Sequence, residues 1–260
     1  MTWDHFIYFA VPCSLLWLAA GGLAMGGKAP RLANALMLAG IALFAAFIGG
    51  LWLGLERPPL RTMGETRLWY SFFLATVGFV TYRHWKYPWL LLFSAAVASV
   101  FIGVNLLRPE IHSQALMPAL QSPFFVPHVT VYILSYAMLG VATLASFIQL
   151  TKQARGGTDT GLYAFMDNMV YIGFGFLALG MLSGALWAKE AWGHYWSWDP
   201  KETWAFVTAA AYLAYIHLRL RPAAPRLTLW TLPVAFALLL VTWLGVSYLP
   251  AARGSIHVYS

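Results

Sequence analysis

The stretch WAKEAWGHYWSWDPKETW, residues 187–204, gathers five tryptophans within 18 residues. An aromatic belt at a membrane interface explains one or two such rings at the end of a span, because the indole ring is apolar while its N–H can reach water. It does not explain five in one place. A concave aromatic surface is what a large, flat, apolar ligand requires. The stretch therefore predicts a structured loop that binds such a ligand.

The other residues of this stretch indicate how the loop is shaped. The sequence Asp-Pro-Lys-Glu from Asp199 to Glu202 is typical of a helix start with Asp199 as the N-cap. Trp192 and Trp196 lie four residues apart, which predicts a shared face on a helical turn. Gly193 lies between them and lets another group approach the backbone closely.

The segments on either side of the stretch are apolar, and so is most of the chain. Hydrophobic residues make up 60% and charged residues 10% of it, whereas soluble domains have about 25% charged residues. A water-soluble fold could not bury this much apolar surface, so the sequence predicts an integral membrane protein. A membrane-spanning helix needs about 20 mostly apolar residues, and this predicts an all-α bundle of about eight transmembrane helices. The predicted spans are 5–25, 32–54, 68–82, 88–107, 129–151, 163–187, 203–218 and 228–249.

We interpret the chain as one transmembrane domain, 1–260, with the Trp-rich loop at 187–204. Lysine and arginine in the loops indicate its orientation. Of the 16 basic residues, nine fall in the loops after spans 1, 3, 5 and 7, and seven fall in the opposite loops. The first set forms short basic turns such as KAPR at 28–31 and TKQAR at 151–155. These turns are typical of cytoplasmic loops. Because the number of predicted spans is even, both termini are then predicted to lie outside, on the same side as the Trp-rich loop.

The net charge and the cysteine content bear on nucleic-acid binding and on thiol chemistry. The net charge of +7 is concentrated in membrane-flanking turns, so it does not indicate nucleic-acid binding. Cys13 is the single cysteine, which excludes an internal disulfide, and any thiol chemistry must come from a partner. We expect Cys13 to be a small core residue.

The histidines are the candidate contacts to a flat ligand. His128, at the start of span 5, and His257, after span 8, lie on the same predicted side as the Trp-rich loop. Two imidazoles facing each other across a flat ring are what bis-histidine haem requires, since each gives one neutral nitrogen to the iron. His5 and His112 are expected to be solvated. The remaining histidines, which are not expected to be iron ligands, are His84, His194 and His217.

The outer loops also carry basic residues that could bind the propionates of a haem. The stretch LERPPLRTMGETRLWYS, residues 55–71, holds Arg57, Arg61 and Arg67 beside Glu65. Two interpretations stay open for this stretch. It binds propionates or a partner protein, or it is a solvated basic loop.

A family resemblance adds to these observations. The sequence WGHYWSWDPKETWA, residues 192–205, resembles the WWD signature of haem-handling membrane proteins. Its DPKETW ending, residues 199–204, resembles the CcsA (ResC) family of System II cytochrome c biogenesis. HVTVYILSY at 128–136 is similar to the segment ahead of that motif, and a histidine after the last span matches as well. The related CcmC and CcmF proteins share the Trp-rich core but usually diverge after the aspartate.

The resemblance implies a ligand and the residues that hold it. It implies a multi-helix membrane bundle that binds haem b non-covalently as cargo. His128 and His257 would be the axial ligands of the haem iron. The porphyrin would be held by the matching WWD residues, which are Trp192, Gly193, Trp196, Trp198 and Asp199.

The resemblance also implies partners and a reaction in the bacterial inner membrane. The partners are a CcsB- or ResB-like membrane protein, apocytochrome c, a thioredoxin-like thiol reductase and the lipid bilayer. The chain would be the haem-presenting subunit of a cytochrome c synthase, in which the CXXCH cysteines add across the haem vinyl groups. Two other functions stay open: a CcmC-like haem exporter that supplies a chaperone, and a redox subunit with a b-type haem. The last of these predicts histidine pairs in the middle of spans, which the sequence does not contain.

Overall fold

The computed structural model describes residues 1–27, 29–60, 62–113, 122–220 and 225–250. Within these ranges the chain forms eight α-helices and no strand, which confirms the predicted all-α fold. The helices are α1 Phe6–Gly26, α2 Pro30–Leu55, α3 Met63–Trp85, α4 Pro88–Leu107, α5 Phe125–Ala154, α6 Thr160–Trp192, α7 Pro200–Arg219 and α8 Pro225–Leu240. A π-helical turn, Val241–Gly245, and a 3-10 turn, Val246–Tyr248, continue α8.

Six of these helices are long and apolar enough to cross a membrane, and the two more polar ones are α3 and α7. The six keep large apolar side chains exposed on their outer surfaces, such as Tyr8, Leu53 and Val100. Helices that are apolar on all sides are typical of membrane spans. The chain is therefore a multi-pass membrane protein, as its composition predicts.

Helix α3 is longer than the predicted span 68–82. Its first turn is fixed by a capping box, in which Thr62 Oγ1 accepts from the Glu65 N–H at 3.1 Å. The Thr62 N–H in turn donates to Glu65 Oε2 at 3.2 Å. These polar residues precede the apolar run, so a prediction based on hydropathy starts the helix too late.

The helices cluster into two compact units, Met1–Gln121 and Ser122–Ser260. The interpretation of the chain as a single domain stays a prediction. In the first unit, α1 packs on α2 and α4, and α3 packs on α4. Its core contains the buried rings of Trp17, Phe44 and Phe47. Cys13 is fully buried there, as predicted, and its thiol donates to the Gly40 carbonyl oxygen at 3.4 Å.

The basic stretch at the start of α3 is partly folded into this unit. Arg57 makes two hydrogen bonds to the Glu65 carboxylate, at 2.9 and 3.0 Å, and the Glu65 side chain is 1% exposed. Trp69 Nε1 donates to the Pro59 carbonyl oxygen at 3.0 Å. The interpretation as a solvated loop is therefore wrong for Arg57 and Glu65, because a buried carboxylate needs this partner. Arg61 lies outside the described residues.

His112 also differs from its prediction. It is half-buried at the end of the 3-10 turn Pro109–His112, and its ring stacks on Trp3 with centroids 3.7 Å apart and planes 7° apart. Its Nε2 lies 3.0 Å from the Asn105 carbonyl oxygen. The prediction of a solvated side chain is wrong because the stacking partner lies at the other end of the unit's sequence, where no local pattern reveals it.

In the second unit, α5 and α6 share the most extensive helix–helix contact, and α8 packs on α5 and α7. Hydrogen bonds tie these helices together inside the unit, for example from Ser146 Oγ to the Leu229 carbonyl oxygen at 3.0 Å. Near the start of α6 and the end of α7, Arg219 makes two hydrogen bonds to Asp167, at 2.6 and 2.7 Å. Tyr215 donates to the same carboxylate at 2.9 Å. This cluster fixes the end of α6 that is remote from the Trp-rich segment.

Candidate functional site

His128 lies in the first turn of α5 and is half-buried. Its Nδ1 is 2.8 Å from the carbonyl oxygen of Gly180 in α6. A carbonyl oxygen can only accept a hydrogen bond, so Nδ1 carries the proton and Nε2 carries the lone pair of the neutral ring. Metal-bound histidines commonly show this arrangement, with one nitrogen donating to a carbonyl and the other binding the metal.

Aromatic rings surround the His128 imidazole. Trp187 stacks on it with centroids 5.5 Å and planes 30° apart, and Tyr132 meets it edge-on at 4.7 Å. Phe125 and Trp192 pack against Trp187 at 5.5 and 4.8 Å. We call these four aromatic residues and His128 the histidine cluster. Such a group of flat apolar faces beside a nitrogen lone pair suits a planar ligand that carries a metal.

Further rings extend the histidine cluster along α5. Tyr132 is followed by Tyr136 with ring centroids 5.4 Å apart, and Tyr136 contacts Trp243 at the same distance. Trp243 belongs to the π-helical turn that follows α8. Single π-helical turns occur frequently at functional sites because they widen the helix and redirect its side chains.

The Trp-rich segment is not a single loop. Helix α6 continues through Trp192, so Trp187 and Trp192 are helical residues. Gly193 ends the helix in the left-handed conformation, with φ of 86°. The prediction that Trp192 and Trp196 share a helical face is wrong, because this glycine breaks the helix between them. The loop itself is short, 193–199, and Lys189 Nζ donates to the Gly193 carbonyl oxygen at 2.7 Å.

Asp199 is the N-cap of α7, as predicted. Its Oδ2 accepts from the Lys201 N–H at 3.1 Å. Glu202 Oε2 accepts from the Asp199 N–H at 3.2 Å and from the Ser197 N–H at 2.8 Å. The two carboxylates are almost fully buried and fold the loop back onto the helix N-terminus, where negative charge is favourable. Asp199 therefore shapes the loop.

Two tryptophans line this loop. The Trp196 and Trp198 rings meet edge to face at 5.7 Å, and Trp198 contacts Phe206 in the same manner at 5.8 Å. Trp198 is 63% exposed. The Trp196 Nε1 atom is buried, and it has no hydrogen-bond partner in the part of the chain that the structure describes. A buried N–H without an acceptor is costly, so this atom is a candidate donor to a ligand.

The structure thus brings together only part of the predicted site. His128 and Trp192 belong to the histidine cluster, whereas Trp196, Trp198 and Asp199 belong to the loop that follows Gly193. His257 lies outside the described residues, and so does the basic residue Arg253. His194 is exposed in the loop.

The sequence interpretation missed three residues that contact His128 or its neighbours. They are Tyr132, Gly180 and Gly184. The spacing of Tyr132, four residues after His128 on a helix, was a usable indication. The two glycines in GMLSGALW, 180–187, precede Trp187 at helical spacing, but nothing in the sequence says which helix they face.

The chain is similar to proteins of cytochrome c maturation. Residues 60–252 match the sequence family described as Cytochrome C assembly protein. The cytochrome c biogenesis protein CcsA of Chlamydomonas reinhardtii is 44% identical over 131 residues, which are 47% of this chain and 37% of that protein. A CcsA protein of Prochlorococcus marinus is 30% identical over 243 residues, covering 76% of this chain and 75% of that protein.

The length and the fold complete the comparison. CcsA of a second Prochlorococcus marinus strain is 37% identical over 175 residues, which cover 53% of this chain and 55% of that protein. The chain thus spans about half the length, or less, of several CcsA relatives that it matches. Among solved structures, cytochrome c heme lyase CcmF is similar with a TM-score of 0.67 and 20% identity. The match covers 97% of this chain and 48% of CcmF, and at that identity it shows a common fold.

Proposed function

The chain belongs to the cytochrome c assembly protein family and to its CcsA branch, and from this premise we propose that it presents haem to apocytochrome c. It would do so as one subunit of a cytochrome c synthase in the bacterial inner membrane. The observation that carries this proposal is the His128 imidazole, whose Nδ1–H is used by the Gly180 carbonyl so that Nε2 holds the lone pair. Ligation of a haem iron needs that nitrogen.

The proposal assigns His128 and His257 as the two axial ligands of the haem iron. The histidine cluster supports the first assignment, since the Trp187 and Tyr132 rings hold the imidazole from two sides. His257 is proposed on the family resemblance alone. Haem b is the cargo of the site and is held without a covalent bond to this chain.

The porphyrin is proposed to lie against the WWD residues of the segment. The faces of Trp192 and the exposed Trp198 are apolar surfaces for the ring, and the buried Trp196 N–H is a donor suited to a propionate oxygen. Gly193 allows close approach because it has no side chain. Asp199 acts through the loop that it caps.

The chemistry follows from what the chain lacks as much as from what it holds. Two thioether bonds form when the CXXCH thiols of apocytochrome c add across the two vinyl groups of haem. Each sulfur binds one vinyl carbon, and its proton ends on the other carbon. Cys13 is the single thiol of this chain and is buried, so the nucleophile comes from the substrate. The contribution of this chain is orientation of the haem edge and exclusion of competing chemistry.

The proposal includes the partners and the sidedness. A CcsB- or ResB-like membrane protein completes the synthase, and a thioredoxin-like reductase keeps the CXXCH thiols reduced. Both termini and the loop 193–199 face the outer side of the membrane, as the basic turns indicate.

Absorption spectra of the purified chain test the ligand assignment. The parent chain, expressed with ample haem, is compared in oxidised and reduced form with His128→Ala and His257→Ala. His194→Ala is the matched control, because His194 is exposed in the same segment. We expect low-spin haem in the parent and the control. Each ligand variant should lose haem or become high-spin, and unchanged low-spin haem in either one would exclude that residue as an axial ligand.

Reconstitution with a partner distinguishes synthase from exporter. The chain is co-expressed with a CcsB-like protein and a CXXCH-containing apocytochrome c, and haem-staining of denatured protein measures covalent attachment. We expect covalent cytochrome c only when all three are present. Covalent product that forms without this chain would contradict the synthase proposal, whereas haem transfer to a separate chaperone in its place would support the CcmC-like alternative.

A further inference from the structure

One face of α6 is built around the His128 ring. Gly180, Gly184 and Trp187 follow one another at spacings of four and three residues, so they lie on the same side of the helix. Gly180 supplies the carbonyl acceptor for Nδ1, and Trp187 supplies the stacked ring. Gly184 lies between them and has no side chain.

Gly184 is what lets the imidazole reach this position. A Cβ atom at residue 184 would lie 2.6 Å from His128 Cε1 and 2.7 Å from Nδ1. Such distances are closer than van der Waals contact permits, so any side chain there would displace the ring. A Cβ at Gly180 would lie 2.8 Å from two atoms of the Tyr132 ring. The two glycines therefore leave room for both aromatic groups that α5 presents.

Helices α5 and α6 make a second contact of this kind seven residues away along each helix. There a serine takes the place of the histidine. Ser135 Oγ donates to the Gly173 carbonyl oxygen at 2.7 Å, and a Cβ at Gly173 would lie 2.9 Å from Leu139 Cδ2. Small residues that bring helices together in this way are common in membranes. Helix packing alone thus explains Gly173. At Gly180 and Gly184 the group that is held is an imidazole, whose two nitrogens differ in function.

We propose that Gly180 and Gly184 are positioning residues that lock His128 in the Nδ1–H tautomer and present Nε2 to the ligand. The proposal rests on the proposed function for the identity of that ligand, whereas the tautomer itself does not depend on it. Donation from Nδ1 to a carbonyl raises the electron density on Nε2 and strengthens its bond to a metal. The contact between α5 and α6 would then influence haem affinity and reduction potential. It would do so through the Gly180 carbonyl oxygen, which does not touch the haem.

The first test uses the full chain in detergent without haem. Histidine is labelled with nitrogen-15, and the NMR shifts of the two ring nitrogens report which one carries the proton. The signals that are missing from the spectrum of His128→Ala are those of His128. We expect one dominant Nδ1–H tautomer in the parent at a pH at which the ring is neutral. An Nε2–H tautomer, or a rapidly exchanging mixture of both, would overturn the proposal whether or not the chain binds haem.

Three glycine variants on α6 form a matched set. Gly184→Ala places a methyl group against the imidazole, and Gly173→Ala crowds the same helix seam away from it. Gly175→Ala adds a methyl group where nothing lies within 4 Å. We expect only Gly184→Ala to mix the tautomers. A change of equal size in Gly173→Ala would mean that seam packing alone controls the ring, which would also overturn the proposal.

Haem titrations then connect the tautomer to the ligand. Loss of an outer contact to a metal-bound histidine typically lowers metal affinity about 10- to 100-fold. We expect a loss in that range and a more positive reduction potential for Gly184→Ala, with both quantities unchanged in Gly175→Ala. A locked tautomer combined with no haem binding in the parent would contradict the proposed function and leave the positioning of His128 intact.

Discussion

His112 in the first unit and His128 in the second have similar surroundings, but they carry the ring proton on different nitrogens. Each is half-buried and stacked on a tryptophan, and each has one ring nitrogen close to a backbone carbonyl. His112 uses Nε2 for the Asn105 carbonyl, whereas His128 uses Nδ1 for the Gly180 carbonyl. The lone pair of His112 is therefore on the nitrogen next to its own backbone, and that of His128 is on the outer nitrogen.

Burial and stacking on a tryptophan are common to both histidines, so they do not distinguish the two. Both rings also lie against a glycine, since a Cβ at Gly64 would lie 2.8 Å from His112 Cδ2. What separates the two histidines is which ring nitrogen donates to the neighbouring backbone carbonyl. We therefore expect His112 to act in stability and His128 to act in ligand binding.

The largest expected effect comes from removing each ring. His128→Ala should lower haem retention more than tenfold, because the iron loses an axial ligand. His112→Ala should leave the low-spin spectrum unchanged and lower the free energy of unfolding by about 1–3 kcal/mol, since it deletes a stacked, partly buried ring. Pyridine haemochrome assays and thermal melts in detergent measure the two quantities. If both variants lost haem and had the same melting temperature, the two histidines would not differ in function.

A stability change remote from both rings sharpens the comparison. Asp167→Asn removes the ion pair with Arg219 and weakens the Tyr215 hydrogen bond, which we expect to cost about 1–3 kcal/mol. The nitrogen-15 pattern of His128 should stay the same. Lys152→Gln is the matched control, because the exposed pair Lys152–Asp159 should contribute less than about 1 kcal/mol. A changed tautomer in Asp167→Asn would show that global stability controls the ring.

The tryptophan N–H groups extend the comparison. Trp69 in the first unit donates to the Pro59 carbonyl, whereas the Trp196 N–H has no acceptor among the described residues. Trp196→Phe should leave the haem-free chain as stable as the parent or slightly more stable. Its haem dissociation constant should rise about tenfold, which corresponds to about 1.4 kcal/mol for one hydrogen bond. Isothermal titration measures this constant, and Trp230→Phe is the control, because Trp230 is 52% exposed on α8 and is not assigned to the site.

The smallest effect is the dependence of stability on pH at His112. Burial lowers the pKa of His112 below its ordinary value, although the Asn105 carbonyl and Glu110 raise it in part. The unfolded chain then binds a proton more readily than the folded chain, so stability is complete above the unfolded pKa of about 6.5 and falls as the pH decreases. Melting temperatures from pH 7.5 to 5 should fall less in His112→Gln than in the parent. Parallel curves would contradict the assignment.

Much of the fold follows from hydropathy, because a membrane leaves few other ways to satisfy the backbone. All eight helices were predicted close to their observed places, and the N-cap Asp199 was recognised from its neighbours. The errors occur where polar residues belong to helices. Helix α3 starts with a capping box that hydropathy does not detect. Helix α6 continues past the charged residues Lys189 and Glu190 and ends at Trp192.

The sequence selects the residues of the candidate site by type, and it does not give their contacts. His128 and the tryptophans could be selected because their chemistry and their motif are local. The ring state of His128 depends on Gly180, which is 52 residues away, and the packing of His112 depends on Trp3. A single sequence contains no measure of such distances. Without the distances, the solvated interpretation of His112 rested on its position in the sequence, and the liganding interpretation of His128 rested on its position and on the family resemblance.

The buried Cys13 thiol has a practical consequence for mapping the membrane topology. It is the single cysteine of the chain, and it is enclosed by α1 and α2. Water-soluble maleimides should therefore not react with the folded parent, which makes it a clean background for introduced thiols. Tyr195→Cys, at a residue that is 56% exposed, and His84→Cys, in the last turn of α3, would each carry one reactive group. Labelling of intact cells would then show directly which of these two positions faces the outside.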